Sequence, residues 1–357
     1  MRRVHIPKGK GRECRPIGVP TFEDKMLQRS VEMLLTPVYE QDFYDFSYGF
    51  RPGRSAHQAL EALWAGLMAM GGGHIIDLDI RSFFDSVDPK QIQEVLRHRV
   101  RDGVVRRLIG KWLRAGVLED GQLSYTETGV PQGGVISPLI SNIFLHEVLD
   151  KWFADTVRPR MKGRAFMIRY ADDAILAFEY QEDAERVYQV LELRLGRYGL
   201  SLHPDKTRLI DFRRGRDPGR SFDFLGFTHF WGRSRKGGMV VKRKTSRERF
   251  ARALKVVNLW LRRNRHEPIL AQHRMLRVKL RGHFQYYGIT GNGAALASYL
   301  YRVMHMWFKW LRRRSNKARR TWKWYRALLA RFPLPKPSPV HSILRRGHQT
   351  RLAIATT

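Results

Sequence analysis

The sequence contains very little cysteine. Cys14 is the only cysteine in 357 residues, which excludes a disulfide within the chain and a zinc site built from several cysteines. We therefore expect no disulfide-linked partner and a reducing, cytoplasmic location. Long apolar runs are missing too, since no segment reaches the roughly 20 apolar residues that a membrane-spanning helix needs, and no signal-peptide pattern is present. The sequence thus argues against attachment to a membrane.

Acidic residues are few relative to basic ones. The chain has 66 Lys and Arg residues against 33 Asp and Glu residues, which gives a formal net charge of +33. An excess of this size indicates a polyanionic partner, and the accompanying aromatic residues favour nucleic acid. On charge alone, a solvated basic surface and a ribosome-associated protein stay open as alternatives.

Several of the acidic residues are concentrated in two short segments. Asp172 and Asp173 lie between two apolar runs, which predicts a strand, a tight turn and a second strand with both carboxylates at the tip. Asp77 and Asp79 alternate with apolar residues, which predicts a strand with one acidic face. A carboxylate on a core strand is costly unless it is paired or bound to metal. By itself the Asp-Asp turn is also compatible with a solvated hairpin, whereas two acidic strands that meet would form an oxygen-only site typical of Mg²⁺.

Further motifs accompany these two segments. Residues 48–57 read YGFRPGRSAH, and residues 129–142 read GVPQGGVISPLISN. Together with residues 6–21, 79–85, 199–207 and 222–227, they resemble, in order, the motifs of reverse transcriptases encoded by group II introns. The basic helical region around 280–287 is similar to the thumb, or maturase, region of that family. The resemblance covers residues 1 to about 343, and no segment resembles the His-Asn-His endonuclease domain of many relatives.

This resemblance implies a fold and a domain order. Residues 1–241 are expected to form the fingers and palm of a right-hand polymerase, which is an α+β fold with an antiparallel sheet and helices on one face. An all-α basic thumb or maturase domain is expected at 242–332, and a Pro-rich basic tail at 333–357. The chain begins inside the first finger motif, whereas relatives carry an N-terminal extension. We expect a misplaced start, a fragment or a shortened lineage.

The resemblance also implies an activity. The expected enzyme is an RNA-directed DNA polymerase that adds dNTPs to a DNA primer on an RNA template. A maturase role in the splicing and mobility of its intron RNA is expected as well. Two alternatives stay open: an RNA-binding splicing cofactor that does not polymerise, and a related reverse transcriptase recruited to phage defence or CRISPR.

Site residues follow from the same resemblance. Asp79, Asp172 and Asp173 are expected to be catalytic and, with the carbonyl of Ile80, to bind two Mg²⁺ ions, for which Mn²⁺ is a substitute. The residues expected to contact the nucleotide are Lys8, Arg15, Arg51, Phe84, Gln132, Gly133 and Lys206. The residues expected to contact primer or template are Phe224, Leu225, Gly226, Arg312, Arg313, Arg314, Arg319 and Arg320.

Some residues have a structural interpretation instead. Asp88 followed by proline predicts the N-cap of a helix rather than a chemical role. Trp307 and Trp310 are expected to lie in the core of the basic helical region. Phe84 is expected to lie under the sugar and exclude a ribose 2′-hydroxyl, in which case its neighbour Phe83 belongs to the core.

Overall fold

The strands and helices of the chain belong to two units. A computed structural model describes residues 2–7, 14–81, 83–115, 117–119, 122–124, 133–215, 220–315 and 320–341. The units comprise residues 1–216 and 217–357, so their division lies before the boundary predicted at 241. The physical reason is that the strands between 221 and 245 belong to the helical unit rather than to the first sheet. The identification of the units as fingers-palm and thumb stays a prediction.

Two sheets organise the first unit. One sheet has the order β2-β1-β4-β5 and the other β6-β7-β3-β8, and the pairs within the second are antiparallel. Strand β3 is central in the second sheet, and its apolar residues Ile75, Ile76 and Leu78 are buried. Within the described residues the strands are β1 (Arg2–Pro7), β2 (Cys14–Val19), β3 (His74–Asp79), β4 (Val117–Glu119), β5 (Gln122–Ser124), β6 (Ala165–Tyr170), β7 (Asp173–Phe178) and β8 (Arg208–Asp211).

Helices pack around the second sheet and share one apolar core with it. Asp88 accepts a hydrogen bond from the backbone N–H of Lys90 at 2.8 Å, so its predicted role as an N-cap is confirmed. The described helices of this unit are α1 (Phe22–Glu40), α2 (Ala56–Met70), α3 (Phe83–Ser86), α4 (Pro89–Arg97), α5 (Gly103–Leu113), α6 (Ser137–Leu145) and α7 (Gln181–Gly196). Helix α6 continues into π-helical turns at His146–Asp150 and Trp152–Val157 and a 3-10 turn at Arg158–Arg160. Mixed helices and antiparallel strands confirm the α+β class.

The second unit combines a small sheet with basic helices. Its antiparallel sheet has the order β11-β10-β9. Trp307 is 0% and Trp310 8% exposed, so their predicted place in the helical core is confirmed. The described elements are β9 (Ser221–Phe224), β10 (Phe227–Arg233), β11 (Met239–Thr245), α8 (Arg247–Arg263), α9 (Ile269–Tyr287), α10 (Gly293–Arg312) and α11 (Trp322–Arg331). Among the residues described in either unit, no helix is both long and apolar enough to cross a bilayer.

Candidate active site

Two strands bring the predicted carboxylates together. Asp79 ends β3 and Asp173 begins β7, and the antiparallel register sets these two residues opposite each other. Tyr170 pairs with Asp173 across the β6–β7 hairpin, so Asp172 lies in the intervening turn, directly beside the pair. Asp79, Asp172 and Asp173 therefore meet at one end of the sheet, although they come from distant parts of the sequence.

Lysine and arginine side chains offset part of this negative charge. The ammonium nitrogen Nζ of Lys206 donates to Asp79 Oδ2 at 3.0 Å and to Oδ1 at 3.3 Å. Two residues before Asp79 on β3, the Asp77 carboxylate is paired with Arg208 of β8, with Nη2 3.2 Å from Oδ2. Lys206, predicted to act near the nucleotide phosphates, thus lies within the carboxylate site, where its exposed side chain is available to other anions.

Asp173 has the most perturbed acidity in the site. Withdrawal from water and then the negative charges of Asp172, Asp79 and Asp77 raise the pKa of Asp173 to about 7, and Lys206 acts in the opposite direction. Asp173 nevertheless keeps an exposed surface at the start of β7. Besides the withdrawal from water, the crowding of like charges therefore raises the pKa of Asp173, because it disfavours another ionised carboxylate.

The backbone beside Asp79 is fixed by residues of a following loop. The Asp79 N–H donates to Thr207 Oγ1 at 3.3 Å, and the Thr207 hydroxyl donates to the Asp79 carbonyl at 3.2 Å. The same carbonyl accepts from the His203 N–H at 2.9 Å. Ile80, the predicted carbonyl ligand, is bridged to Leu202. This part of the backbone is therefore held on both sides of Asp79.

These oxygen donors fit a hard divalent cation. Mg²⁺ is usually held by one or two carboxylates, with water and substrate phosphates completing its coordination. Asp79, Asp172 and Asp173 supply carboxylates of that kind, and the crowding that raises the Asp173 pKa would be relieved by a cation. Among the described side chains, no group of three or more His, Cys, Asp or Glu residues is arranged so that it could hold a metal ion by itself. The donor set thus suits Mg²⁺ or Mn²⁺ bound jointly with substrate.

Several residues predicted to contact the nucleotide lie, wholly or with their side chains, outside the part of the chain that the structure describes. Lys8 and Gln132 lie outside the described residues, as do the side chains of Arg15 and Phe84. The backbone at Phe84 is helical, because it belongs to α3, and the adjacent Phe83 is 5% exposed. Phe83 therefore lies in the core, as expected for one of the two phenylalanines.

Gly133 has a structural explanation. Its φ is +113°, and a Cβ there would lie 2.4 Å from the carbonyl oxygen of Gly18 and 2.6 Å from Ile17 Cγ2. Glycine is therefore required for a close approach to β2. The predicted approach to a template–nucleotide pair stays a prediction, because the protein contact alone explains the residue.

Arg51 requires a correction. Its side chain is 3% exposed, and Nε and Nη2 donate to the Glu40 carboxylate at 2.9–3.2 Å. Nη1 donates to the carbonyls of Tyr44 and Ser47, both at 2.7 Å. The predicted nucleotide contact is wrong in this geometry, because the guanidinium is committed to the loop that precedes α2. Sequence alone did not reveal that Glu40 lies within reach.

The predicted primer-contacting segment forms the turn between β9 and β10. Leu225 and Gly226 both have positive φ, of +48° and +80°. The Tyr286 hydroxyl donates to the Leu225 carbonyl at 2.9 Å, and the Ser246 N–H donates to the Gly226 carbonyl at 2.9 Å. Phe224 is 4% exposed and belongs to the core. The turn is therefore rigid and presents mainly its backbone, while its primer contact stays a prediction.

The arginine run after α10 divides into two kinds of residue. Arg314 Nη2 donates to the His266 carbonyl at 2.8 Å, and Arg320 donates to the Leu311 carbonyl. Arg312 and Arg313 are exposed, so their charge is available to phosphates, whereas Arg319 lies outside the described residues. The run is thus partly structural, since Arg320 binds a carbonyl in the last turn of α10 and Arg314 binds one in the turn between α8 and α9.

A buried group behind the Asp172 turn was missed by sequence reasoning. Arg169 and Asp150 form an ion pair in which both side chains are 0% exposed. Arg169 also donates from Nη1 to Asn142 Oδ1 and to the Ala171 carbonyl, each at 3.0 Å. An arginine within an otherwise apolar strand segment was the available signal, comparable to that of the aspartates on β3.

Comparisons with known proteins identify the family of the chain. Residues 6–229 match the family model described as reverse transcriptase (RNA-dependent DNA polymerase). The chain is 34% identical over 273 residues to protein YkfC of Escherichia coli K12, covering 67% of this chain and 69% of YkfC. It is 41% identical over 153 residues to the group II intron-encoded protein LtrA of Lactococcus lactis subsp. cremoris, covering 43% of this chain and 25% of LtrA.

Solved structures support the fold. An apo telomerase from Candida tropicalis superposes with a TM-score of 0.53 at 14% identity, covering 87% of this chain and 56% of the telomerase chain. At that identity the likeness concerns the fold alone. The predicted resemblance to group II intron-encoded proteins is confirmed by the similarity to LtrA. By its family match, which spans the carboxylate strands and most of the first unit, the chain belongs to the reverse transcriptase, or RNA-dependent DNA polymerase, family.

Proposed function

We propose that this chain extends a DNA primer with dNTPs on an RNA template, with Asp79, Asp172 and Asp173 as its metal-binding carboxylates. The observation that carries the proposal is the pairing of Asp79 with Asp173 across β3 and β7, with Asp172 in the adjoining turn. Three carboxylates held together in this way are electrostatically unfavourable by themselves. Their retention is explained if a divalent cation and nucleotide phosphates bind there.

In this transfer of a nucleotide to the primer, the protein contributes mainly positioning and charge neutralisation. When bound, two Mg²⁺ ions, or Mn²⁺ in their place, would lower the pKa of the primer 3′-hydroxyl and stabilise the attacking and leaving oxygens. Asp79, Asp172, Asp173 and the Ile80 carbonyl are the groups that we propose to hold them. Lys206 supplies a cation at the same site, where it would neutralise charge on the leaving pyrophosphate.

We further propose intron RNA as a partner, with a maturase role in splicing. The proposal is supported by the net charge of +33 and by similarity to a group II intron-encoded protein. An RNA-binding splicing cofactor that does not polymerise is less well supported, because such a protein has no use for the three carboxylates. A reverse transcriptase recruited to phage defence or CRISPR would keep these carboxylates, and a group II ribozyme around the gene would distinguish the two.

Primer extension with dNTPs and Mg²⁺ on an RNA template tests the polymerase proposal. Wild-type protein should extend the primer, and Asp172→Asn should abolish extension while changing RNA affinity little, because the carboxylate serves metal rather than RNA. Asp205→Asn is the matched control, since it removes an exposed carboxylate of a neighbouring loop. Extension by Asp172→Asn at more than a few per cent of the wild-type rate would remove Asp172 from the site.

A further inference from the structure

A buried ion pair lies directly behind the turn that carries Asp172. Arg169 on β6 donates from Nε to Asp150 Oδ1 at 2.7 Å and from Nη2 to Oδ2 at 2.5 Å, and neither side chain is exposed. Burial by itself would raise the pKa of Asp150, but Arg169 and His146 hold it below its ordinary value, which keeps the pair ionised. Buried ion pairs commonly contribute little net stability, because desolvation offsets their attraction. Stabilisation of the fold is therefore a weak explanation for the presence of this buried pair.

The remaining donor of the guanidinium reaches the turn itself. Arg169 Nη1 donates to the carbonyl oxygen of Ala171 at 3.0 Å. Ala171 has a φ of +57°, a left-handed conformation that is unfavourable for a residue with a side chain. It is also the residue immediately before Asp172. The hydrogen bond therefore holds a strained residue in the conformation that sets the direction of the following carboxylate.

The opposite side of the turn is held by the loop that precedes α2. A Cβ on Gly49 would lie 2.3 Å from the Ala171 nitrogen, so this glycine packs directly on the turn. Asn142 Nδ2 donates to the Gly49 carbonyl at 2.7 Å, and Asn142 Oδ1 accepts from Arg169 at 3.0 Å. The Tyr48 N–H donates to the Arg169 carbonyl at 2.9 Å. Connected hydrogen bonds thus join Arg169, Asn142 and Gly49, and both Arg169 and Gly49 contact Ala171.

We propose that Arg169 is a positioning residue for the catalytic carboxylates. It acts through the Ala171 carbonyl, and Asp150 and Asn142 fix its guanidinium. The inference rests on the proposed polymerase function, because only then does the direction of Asp172 matter for chemistry. Arginine suits this place because its planar fork binds Asp150 with two nitrogens and still offers a third to the turn. A lysine has a single nitrogen and cannot span both.

Two variants at this pair test the inference. Arg169→Lys keeps the positive charge but loses the planar guanidinium with its several nitrogen donors. The double change Arg169→Met with Asp150→Leu removes both charges, so no unpaired charge is left in the core. Each variant should lower the single-turnover extension rate about a hundredfold at saturating dNTP, the scale expected when reacting groups are displaced by roughly 1 Å. The dissociation constant for template–primer should change less than about twofold, because that surface is untouched.

Two further readouts separate positioning from a general loss of structure. Rates are normalised to the active fraction given by burst amplitude, so misfolded protein does not count as slow protein. Mn²⁺ binding, followed by electron paramagnetic resonance with dNTP and a chain-terminated primer on its template, should weaken severalfold in the same variants. Arg164→Lys is the matched control, because Arg164 forms an ion pair with Glu179 at the other end of the same β6–β7 hairpin, with Nε 3.1 Å from Oε2. Its normalised rate should equal that of wild type.

The outcomes distinguish this inference from the polymerase proposal. Wild-type normalised rate and Mn²⁺ affinity in the double variant, with Asp172→Asn inactive, would overturn only the role of Arg169. Retained extension by Asp172→Asn would overturn the polymerase site instead. If neither Arg169 variant folds, Asn142→Ala decides, since it keeps the Arg169–Asp150 ion pair and removes the two hydrogen bonds by which Asn142 joins Arg169 to the Gly49 carbonyl. A rate about tenfold lower supports the inference, and an unchanged rate contradicts it.

Discussion

His229 should make the stability of the second unit depend on pH. Its ring is 0% exposed within the β9–β11 sheet and stacks on Phe222 with the ring centroids 4.9 Å apart. Burial, and then the positive charge of Arg243 opposite it on β11, lower the pKa of His229 to about 3. The folded protein therefore keeps this ring neutral at pH values where the unfolded chain would protonate it.

The sign and size of the effect follow from this difference. An unfolded histidine has a pKa of about 6.5, so the unfolded state binds more protons below that pH, and folding stability falls as the pH drops from about 6.5 toward 3. At pH 5, about 1.5 units below the unfolded value, His229 costs about 2 kcal/mol, at 1.36 kcal/mol per unit. His229→Phe removes the titration and keeps a ring against Phe222. Between pH 7.5 and 5 the variant should lose about 2 kcal/mol less unfolding free energy than wild type.

Urea unfolding of the full chain at both pH values measures this difference. Tryptophan fluorescence is a suitable probe, because six of the nine tryptophans lie beyond residue 217, in the second unit. His266→Gln serves as the control, since it removes an exposed histidine of the same unit and should behave like wild type. Equal losses of stability in wild type and His229→Phe would refute the reasoning, because they would mean that the fold does not hold His229 neutral.

Four other variants give distinct results. Phe84→Ala should admit ribonucleotides, measured as the ratio of NTP to dNTP incorporation, and an unchanged ratio would place the sugar discrimination elsewhere. Arg51→Met should lower the unfolding free energy by roughly 1–3 kcal/mol, because it leaves the polar partners of Arg51 unsatisfied. The KM for dNTP should stay unchanged, and a raised KM would support a contact between Arg51 and the nucleotide. Arg312→Ala with Arg313→Ala should weaken RNA binding and reduce the log–log salt slope by about 1.4–1.8, at 0.7–0.9 per phosphate contact. Arg320→Ala, whose side chain binds a helix-end carbonyl, should lower stability rather than that slope.

The sequence predicted the carboxylate site better than it predicted the surrounding arginines. Asp79 and Asp173 could be anticipated because strand alternation is local, and because acidic residues on apolar strands are costly without a partner. Arg51 could not be assigned correctly, because its role depends on Glu40 and on two carbonyls that the fold brings within 2.7–3.2 Å. The division of the chain near residue 217 could not be predicted for a similar reason. Residues 221–245 have the pattern of strands, but pattern alone does not say with which unit a sheet will pack.

The arginines also change how the net charge should be interpreted. The value of +33 counts every guanidinium equally, yet Arg51, Arg169 and Arg243 are only 7%, 0% and 3% exposed. Such residues cannot release counterions from a phosphate backbone, because they do not reach one. The planar side chains of Arg51 and Arg169, each with several donors, instead join backbone carbonyls to carboxylates, which lysine does less well. The basic residues of this chain therefore have two roles. Exposed ones are available to nucleic acid, whereas Arg51 holds the loop before α2 and Arg169 holds the turn that carries Asp172.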